Sequence, residues 1–94
     1  MFKVLIICAD LVRLRTTRLH LERNGFYVRT ATDKLRALEI MRSERPDIVV
    51  LSTNVPMVVV GVPAVVRMLD DPERMLKAVQ WAARQVSGLT EVPW

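Results

Sequence analysis

The chain has 94 residues, of which 51% are hydrophobic and 26% charged, and its net charge is +4. This length suits one domain, and this composition argues against intrinsic disorder. No apolar run approaches the ~20 residues of a membrane span, and the single cysteine, Cys8, excludes an internal disulfide and fits a reducing compartment. The first strand follows Met1 directly, which leaves no room for a signal peptide. We therefore expect one cytoplasmic domain over residues 1–94.

Three strands are predicted in the first half of the chain. KVLIIC at 3–8 and IVVL at 48–51 are apolar at every position, which is typical of strands buried on both faces of a sheet. YVRTAT at 27–32 alternates apolar and polar residues, as an edge strand does.

Helices are predicted between these strands. The first begins after Asp10, a good N-cap residue, and ends near Arg23 at Asn24-Gly25. The second begins after Asp33 and stops before Pro46. Each connection is long enough for a right-handed crossover between parallel strands.

The segment VPMVVVGVPAVVRML at 55–69 is almost wholly apolar, and it leaves three alternatives open. It forms a crossover over 53–63 followed by a fourth parallel strand at 64–68, or a hairpin, or a segment exchanged between two chains. We favour the crossover, which predicts the strand order 2-1-3-4 with the last helix beside the first.

The last helix is predicted to begin at Asp71-Pro72, as N-cap and first helical residue. Its apolar residues form one stripe, and Ser87-Gly88 is predicted to end it, with an irregular tail after that point.

Four segments in this order resemble the receiver domain of two-component response regulators: KVLIICAD, LERNGFYVRTATDKLRALEIM, RPDIVVLSTNVP and GVPAVVRMLDDPERMLKAV. The resemblance is continuous over residues 1–56 and resumes at about 61–86. It implies an α/β, flavodoxin-like fold, a parallel sheet with flanking helices. Because the segment between the third strand and the last is much shorter than in a full receiver, we expect about four strands and three helices.

The resemblance also implies where the family's chemistry would lie. In receivers an aspartate at the end of the third strand accepts a phosphoryl group, an acidic pair after the first strand holds Mg²⁺, and a lysine after the last strand pairs with the phosphate. These positions correspond to Ser52, to Cys8 and Ala9, and to Met68. Asp10 remains, but a single carboxylate just past a strand is more typical of a helix cap than of a metal ligand. We therefore expect a degenerate phosphorylation site with no metal and no cofactor.

These losses favour a pseudo-receiver that acts as an interaction or dimerisation module without phosphorylation. Ser52 is interpreted as a neutral replacement, because a buried carboxylate without Mg²⁺ or lysine would be costly. No second catalytic constellation is present, so we expect no enzymatic activity. An engineered or minimised receiver-like scaffold with no biological activity would show the same features, and the sequence leaves this alternative open.

The partners follow from the apolar segment and from the basic first helix. Val58, Val60 and Val65 are expected to lie at a homodimer interface, and a different protein partner is possible. The first helix carries four arginines: Arg13, Arg15, Arg18 and Arg23. They alternate with leucines and lack an aromatic stacking platform, so nucleic-acid binding is the weaker alternative. His20, in the same helix, is expected to face solvent.

Overall fold

A computed structural model describes the backbone of residues 2–90 and the side chains of residues 2–87. The elements are β1 (Lys3–Ile7), α1 (Leu11–Arg23), β2 (Tyr27–Ala31), α2 (Lys34–Glu44), β3 (Ile48–Leu51), β4 (Ala64–Arg67) and α3 (Pro72–Thr90). All strands are parallel, in the order β2-β1-β3-β4. The predicted sheet and crossover are confirmed, and the hairpin is wrong. None of the helices in residues 2–90 is long and apolar enough to cross a bilayer.

The helices begin at the predicted capping residues. The Asp10 carboxylate accepts the backbone N–H groups of Val12 and Arg13, and Asp33 accepts that of Arg36. These contacts satisfy amides that the first helical turn leaves without a partner. Helix α2 ends at Glu44, and the C-cap residue Arg45 adopts the left-handed conformation (φ 47°) directly before Pro46.

Helix α3 is longer than predicted. Its start is as expected, with the Asp71 carboxylate accepting the N–H of Glu73. The predicted end at Ser87-Gly88 is wrong, because the helix continues to Thr90. A glycine costs a helix only about 1 kcal/mol relative to alanine, and the next proline lies beyond the helix at Pro93. Of the predicted irregular tail, residues 91–94 lie outside the described residues.

One face of the sheet is covered by α1 and α3. Buried residues of these helices, among them Leu21 and Met75, pack on Ile6, Ile48 and Val50 of the strands. The prediction that His20 faces solvent is wrong. Its side chain is only 26% exposed, and its Nε2 lies 3.0 Å from Glu73 Oε1 of α3. The last helix therefore lies beside the first, as the strand order requires.

The other face is covered in two different ways. Helix α2 covers its β1 half, where Ala37 and Ile40 pack on Leu5 and Ile7. Beyond that half the cover is the β3–β4 connection, whose residues 56–63 we call the strap. Its side chains alternate, with Met57, Val59 and Val62 partly buried and Val58 and Val60 exposed. Within the described part of the chain, no hydrogen bond involves the backbone of residues 57–62.

Candidate functional site at the carboxyl edge of the sheet

The carboxyl ends of β1, β3 and β4 bring the predicted site residues together. Ile7 and Leu51 are register partners, so Cys8 and Ser52 follow neighbouring strands at the same level. The Ser52 N–H donates to the Ile7 carbonyl over 2.9 Å, and the Met68 N–H donates to the Leu51 carbonyl over 3.0 Å. The site predicted from sequence is therefore one place in the fold.

Most of these side chains are buried rather than presented to a ligand. Cys8 is fully buried, Ser52 is 3% exposed and Met68 is 7% exposed. Cys8 and Met68 belong to the apolar core beneath α1 and α3. Of the predicted site residues, Ala9 and Asp10 are the exposed ones. Two positions at which receivers carry charge are thus part of the hydrophobic core.

Asp10 is the one carboxylate among the predicted site residues, and it is used locally. Its Oδ1 lies 3.0 Å from the backbone nitrogen of Val12 and 3.3 Å from that of Arg13. A carboxylate in this position also interacts favourably with the positive end of the helix dipole. Asp10 therefore stabilises the first turn of α1.

Asn54 is a residue of this edge that the sequence analysis missed. Its Oδ1 accepts the Ala9 N–H over 3.1 Å, and its Nδ2 lies 3.8 Å from Cys8 Sγ. Its own N–H lies 3.5 Å from Ser52 Oγ. Asn54 thus ties the segment after β3 to the segment after β1 through neutral groups. The signal that could have revealed it is an asparagine in a turn directly after a buried strand, at the sheet edge where parallel strands end.

Comparison with solved structures relates this arrangement to known proteins. The chain is similar to the chemotaxis response regulator CheY4 of Vibrio cholerae, with 19% identity, a TM-score of 0.72, and 87% of this chain and 98% of that chain covered. It is similar to a response regulator receiver domain protein from Clostridium thermocellum, with 16% identity, a TM-score of 0.75 and coverage of 95% and 99%. A response regulator receiver modulated diguanylate cyclase from Pelobacter carbinolicus matches with 14% identity, a TM-score of 0.78 and coverage of 98% and 100%.

The chain has the fold of a response regulator receiver domain. The predicted resemblance and fold class are confirmed. No protein-family model matches the sequence, and no curated protein matches it. At identities this low, the likeness concerns the fold, and the chemistry has to be argued from the residues.

The residues at the receiver site do not fit Mg²⁺. This ion needs near-octahedral oxygen coordination, which receivers build around carboxylates. Here the edge offers a thiol, a methyl group, a buried hydroxyl and one carboxylate that caps α1. Among the described side chains, no group of three or more His, Cys, Asp or Glu residues lies close enough together to hold a metal. No phosphoryl step through this ion can be derived for this chain.

Among the described residues, no carboxylate, imidazole or amine is hydrogen-bonded to the hydroxyl of Ser52. A serine nucleophile needs a neighbouring base or a metal to remove its proton. The polar contact of Ser52 Oγ is the backbone N–H of Asn54, which is a donor and takes no proton. Arg67, beside Met68, is exposed and lies on the face opposite to Met68. The arrangement at this edge is suited to holding two loops together.

The predicted interface residues lie on the incompletely covered face. Val58 and Val60 of the strap are 84% and 76% exposed, and Val65 of β4 is 48% exposed. A groove of about 330 Å³ runs between the strap and β4, with Met57, Val65 and Arg67 in its lining. The three predicted residues are therefore accessible in the single chain.

Proposed function

We propose that this chain is a pseudo-receiver, a domain with the receiver fold that works without phosphorylation and without enzymatic activity. In this proposal it acts as a protein interaction module whose first partner is a second copy of itself. The observation that carries the proposal is the replacement of the charged receiver site by buried or neutral side chains, with Asn54 joining the two loops.

The burial of Ser52 supports this reading energetically. A carboxylate placed there would lose most of its water and find no cation beside it, at a cost of several kcal/mol. The serine hydroxyl avoids that cost. All the receiver's charged positions are neutral together here, which is the pattern expected when no part of the chemistry is retained.

The exposed valines support the dimer. Val58 and Val60 stand out from the strap, and Val65 stands out from the edge strand β4 on the same side of the sheet. Neighbouring exposed apolar residues are typical of interaction surfaces, since a monomer gains nothing by leaving them in water. A two-fold dimer is the commonest closed assembly that covers such a surface.

The contacts of α1 weaken the nucleic-acid alternative. Arg13 pairs with Asp70 over 2.7 Å, and Arg18 pairs with Glu22 over 3.3 Å. Two of the four arginines of this helix are thus already neutralised by carboxylates of the same chain. If the chain bound nucleic acid through these arginines, its affinity would fall steeply as the salt concentration rises. An engineered scaffold without biological activity would share the degenerate phosphorylation site, but we would not expect such a scaffold to self-associate.

The expected loss of Mg²⁺ and phosphoryl binding at the degenerate phosphorylation site is tested by adding Mg²⁺ and beryllofluoride and following amide chemical shifts by NMR. Asp33 serves as the internal control, because it caps α2 as Asp10 caps α1 and reports on loose association of Mg²⁺ with any exposed carboxylate. We expect no saturable shift at residues 8–10 and 52 beyond that seen at Asp33. Saturable, beryllofluoride-dependent shifts at these residues would overturn the proposal.

A second test is restoration of the receiver residues. The variant carrying Cys8→Asp, Ala9→Asp, Ser52→Asp and Met68→Lys regains the charges but not the missing segment between β3 and β4. We expect lower stability, because three carboxylates would crowd one edge and repel one another. We also expect no conformational switch, since no two-state element is available for the phosphate to bias. A phosphorylation-driven change like that of a full receiver would contradict the argument.

A further inference from the structure

The outer edge of β4 has unpaired backbone groups. β4 is the last strand in the order β2-β1-β3-β4, so within residues 2–90 only one of its sides is hydrogen-bonded to another strand. The Met68 N–H points towards β3, where it donates to the Leu51 carbonyl. Because backbone groups alternate along a strand, those of Val66 also point towards β3, and those of Val65 and Arg67 point outwards.

The two edges of the sheet differ in how they are protected. On β2, Tyr27 and Arg29 both contact the Glu44 carboxylate of α2, so this edge carries a polar network. On β4, the one charged residue, Arg67, lies at the end of the strand, and the three residues before it, Ala64, Val65 and Val66, are apolar. Natural sheets protect exposed edges with charges, bulges or covering segments, and an edge that is apolar over most of its length is a template for another strand. Of the two edges, β4 is therefore the one available for pairing.

We infer that a second copy of the chain pairs with the outer edge of β4, antiparallel, with Val65 opposite Val65 of the second copy. This inference rests on the proposed homodimer and specifies its geometry. A two-fold axis perpendicular to the sheet makes the paired strands antiparallel and keeps each face of the sheet on its own side. In an antiparallel pair, residues directly opposite each other point their side chains to the same face of the sheet. Successive residues point to opposite faces, so the residue at the two-fold axis must be paired with the same residue of the second copy.

The side chains select among the possible registers. Centring on Val65 puts valine against valine and Ala64 against Val66. Centring on Val66 puts Val65 against the arginine of the second copy, and centring on Arg67 puts two like charges opposite each other, which is destabilising. The Val65 register pairs apolar residues throughout its centre.

In the Val65 register both outward-pointing N–H groups of β4 find an acceptor, while the outward Arg67 carbonyl faces Pro63 and stays open to water. Each Val65 N–H donates to the Val65 carbonyl of the other copy, and each Arg67 N–H donates to the carbonyl of Pro63. Pro63 has no N–H of its own, so its place at the end of the pairing leaves no donor without a partner. The two sheets become continuous, and the half-exposed Val65 side chains cover each other.

Cysteine cross-linking tests this register. In a hydrogen-bonded antiparallel pair the Cα atoms lie about 5.5 Å apart, within the range of about 4.4–6.8 Å that a disulfide spans. Val65→Cys should therefore form a disulfide-linked dimer under mild oxidation, at least about tenfold faster than the control Val66→Cys, which points to the α3 face. Cys8 is fully buried and does not compete. Equal rates for the two variants would overturn the register.

Hydrogen exchange of the unaltered chain gives a readout that needs no substitution. The Val65 amide should be protected at least about tenfold more strongly above the dimer dissociation constant than below it, whereas the Val66 amide, bonded to β3, should change little. Sedimentation equilibrium distinguishes failure of the β4 pairing from failure of the proposed homodimer. A dimer without this protection refutes the β4 pairing and leaves the homodimer standing, and a monomer refutes both.

Discussion

The two faces of the sheet are built to different degrees of completion. Beneath α1 and α3, strand residues of β1 and β3 are fully buried, and even β4 contributes Val66 to the core. On the opposite face α2 covers β1, but β3 and β4 are covered only by an extended strap whose backbone lacks hydrogen bonds over residues 57–62 in the described chain. The neighbours Val66 and Val65 thus meet different surroundings. From this difference we expect the α1–α3 face to contribute more of the stability, and it supports our proposal that the strap face contacts a second chain.

The largest effect is expected from deleting a buried side chain on the complete face. Met75→Ala should lower the free energy of unfolding by about 2–5 kcal/mol, since it leaves a cavity in a fully buried position and removes the sulfur that the Leu69 N–H contacts. The matched change on the strap, Met57→Ala, should cost about 1 kcal/mol or less because Met57 is only partly buried. Urea unfolding at one fixed protein concentration measures both. Equal losses would contradict the difference between the faces.

A buried carboxylate at Ser52, the position that corresponds to the phosphoacceptor of receivers, should have the next largest effect. Ser52→Asp should cost about 2–3 kcal/mol at pH 7, because burial disfavours the charged carboxylate and raises the pKa of the new carboxyl. The sign follows from that rise: the penalty is absent well below about pH 4, where the carboxyl is protonated in both states, builds up as the pH rises from the unfolded-state pKa of about 3.9 to the raised folded-state pKa, and is constant above that. The control is Thr53→Asp, at an exposed neighbour, which should stay within about 0.5 kcal/mol. A pH-independent loss for Ser52→Asp would contradict this explanation.

The alternation of the strap makes a prediction about assembly. Val58→Asp should raise the dimer dissociation constant at least tenfold, about 1.4 kcal/mol, and leave each chain folded because Val58 points to solvent. Its neighbour Val59 is partly buried, so Val59→Asp should destabilise the fold itself. Sedimentation and circular dichroism of the two variants distinguish these outcomes. Unfolding of Val58→Asp would mean that this residue belongs to the core.

The smallest effect is expected at the one remaining acidic residue of the site. Asp10→Ala should cost about 1 kcal/mol through loss of the α1 cap, and Asp33→Ala should cost a similar amount through loss of the α2 cap. Thermal unfolding with and without millimolar Mg²⁺ checks both. If Mg²⁺ stabilised the unaltered chain but not Asp10→Ala, Asp10 would be a metal ligand rather than a cap alone.

The sequence predicted the first half of the fold well because its signals are local and agree with one another. Asp10 and Asp33 cap their helices, Gly25 adopts a positive φ after α1, and the uniformly apolar strands are central in the sheet. The end of α3 was wrong because a single Gly88 is weak evidence when no proline follows at once. The partly buried position of His20 beside Glu73 depends on α3, which lies far away in sequence.

The site was predictable in its positions and less so in its contacts. The resemblance located Cys8, Ser52 and Met68, and the strand register brings these positions together. The role of Asn54 depends on the distance between two loops, which no spacing in the sequence gives. The exposure of Val58, Val60 and Val65 was predicted from the missing segment, and their part in an interface stays a prediction.

The most direct test of the account is sedimentation equilibrium of the unaltered chain at micromolar concentration, with and without Mg²⁺ and beryllofluoride. We predict the mass of a dimer in both conditions, because association depends on the strap face and β4 and not on phosphoryl chemistry. A monomer mass in both conditions, or a dimer that forms only with Mg²⁺ and beryllofluoride, would contradict it.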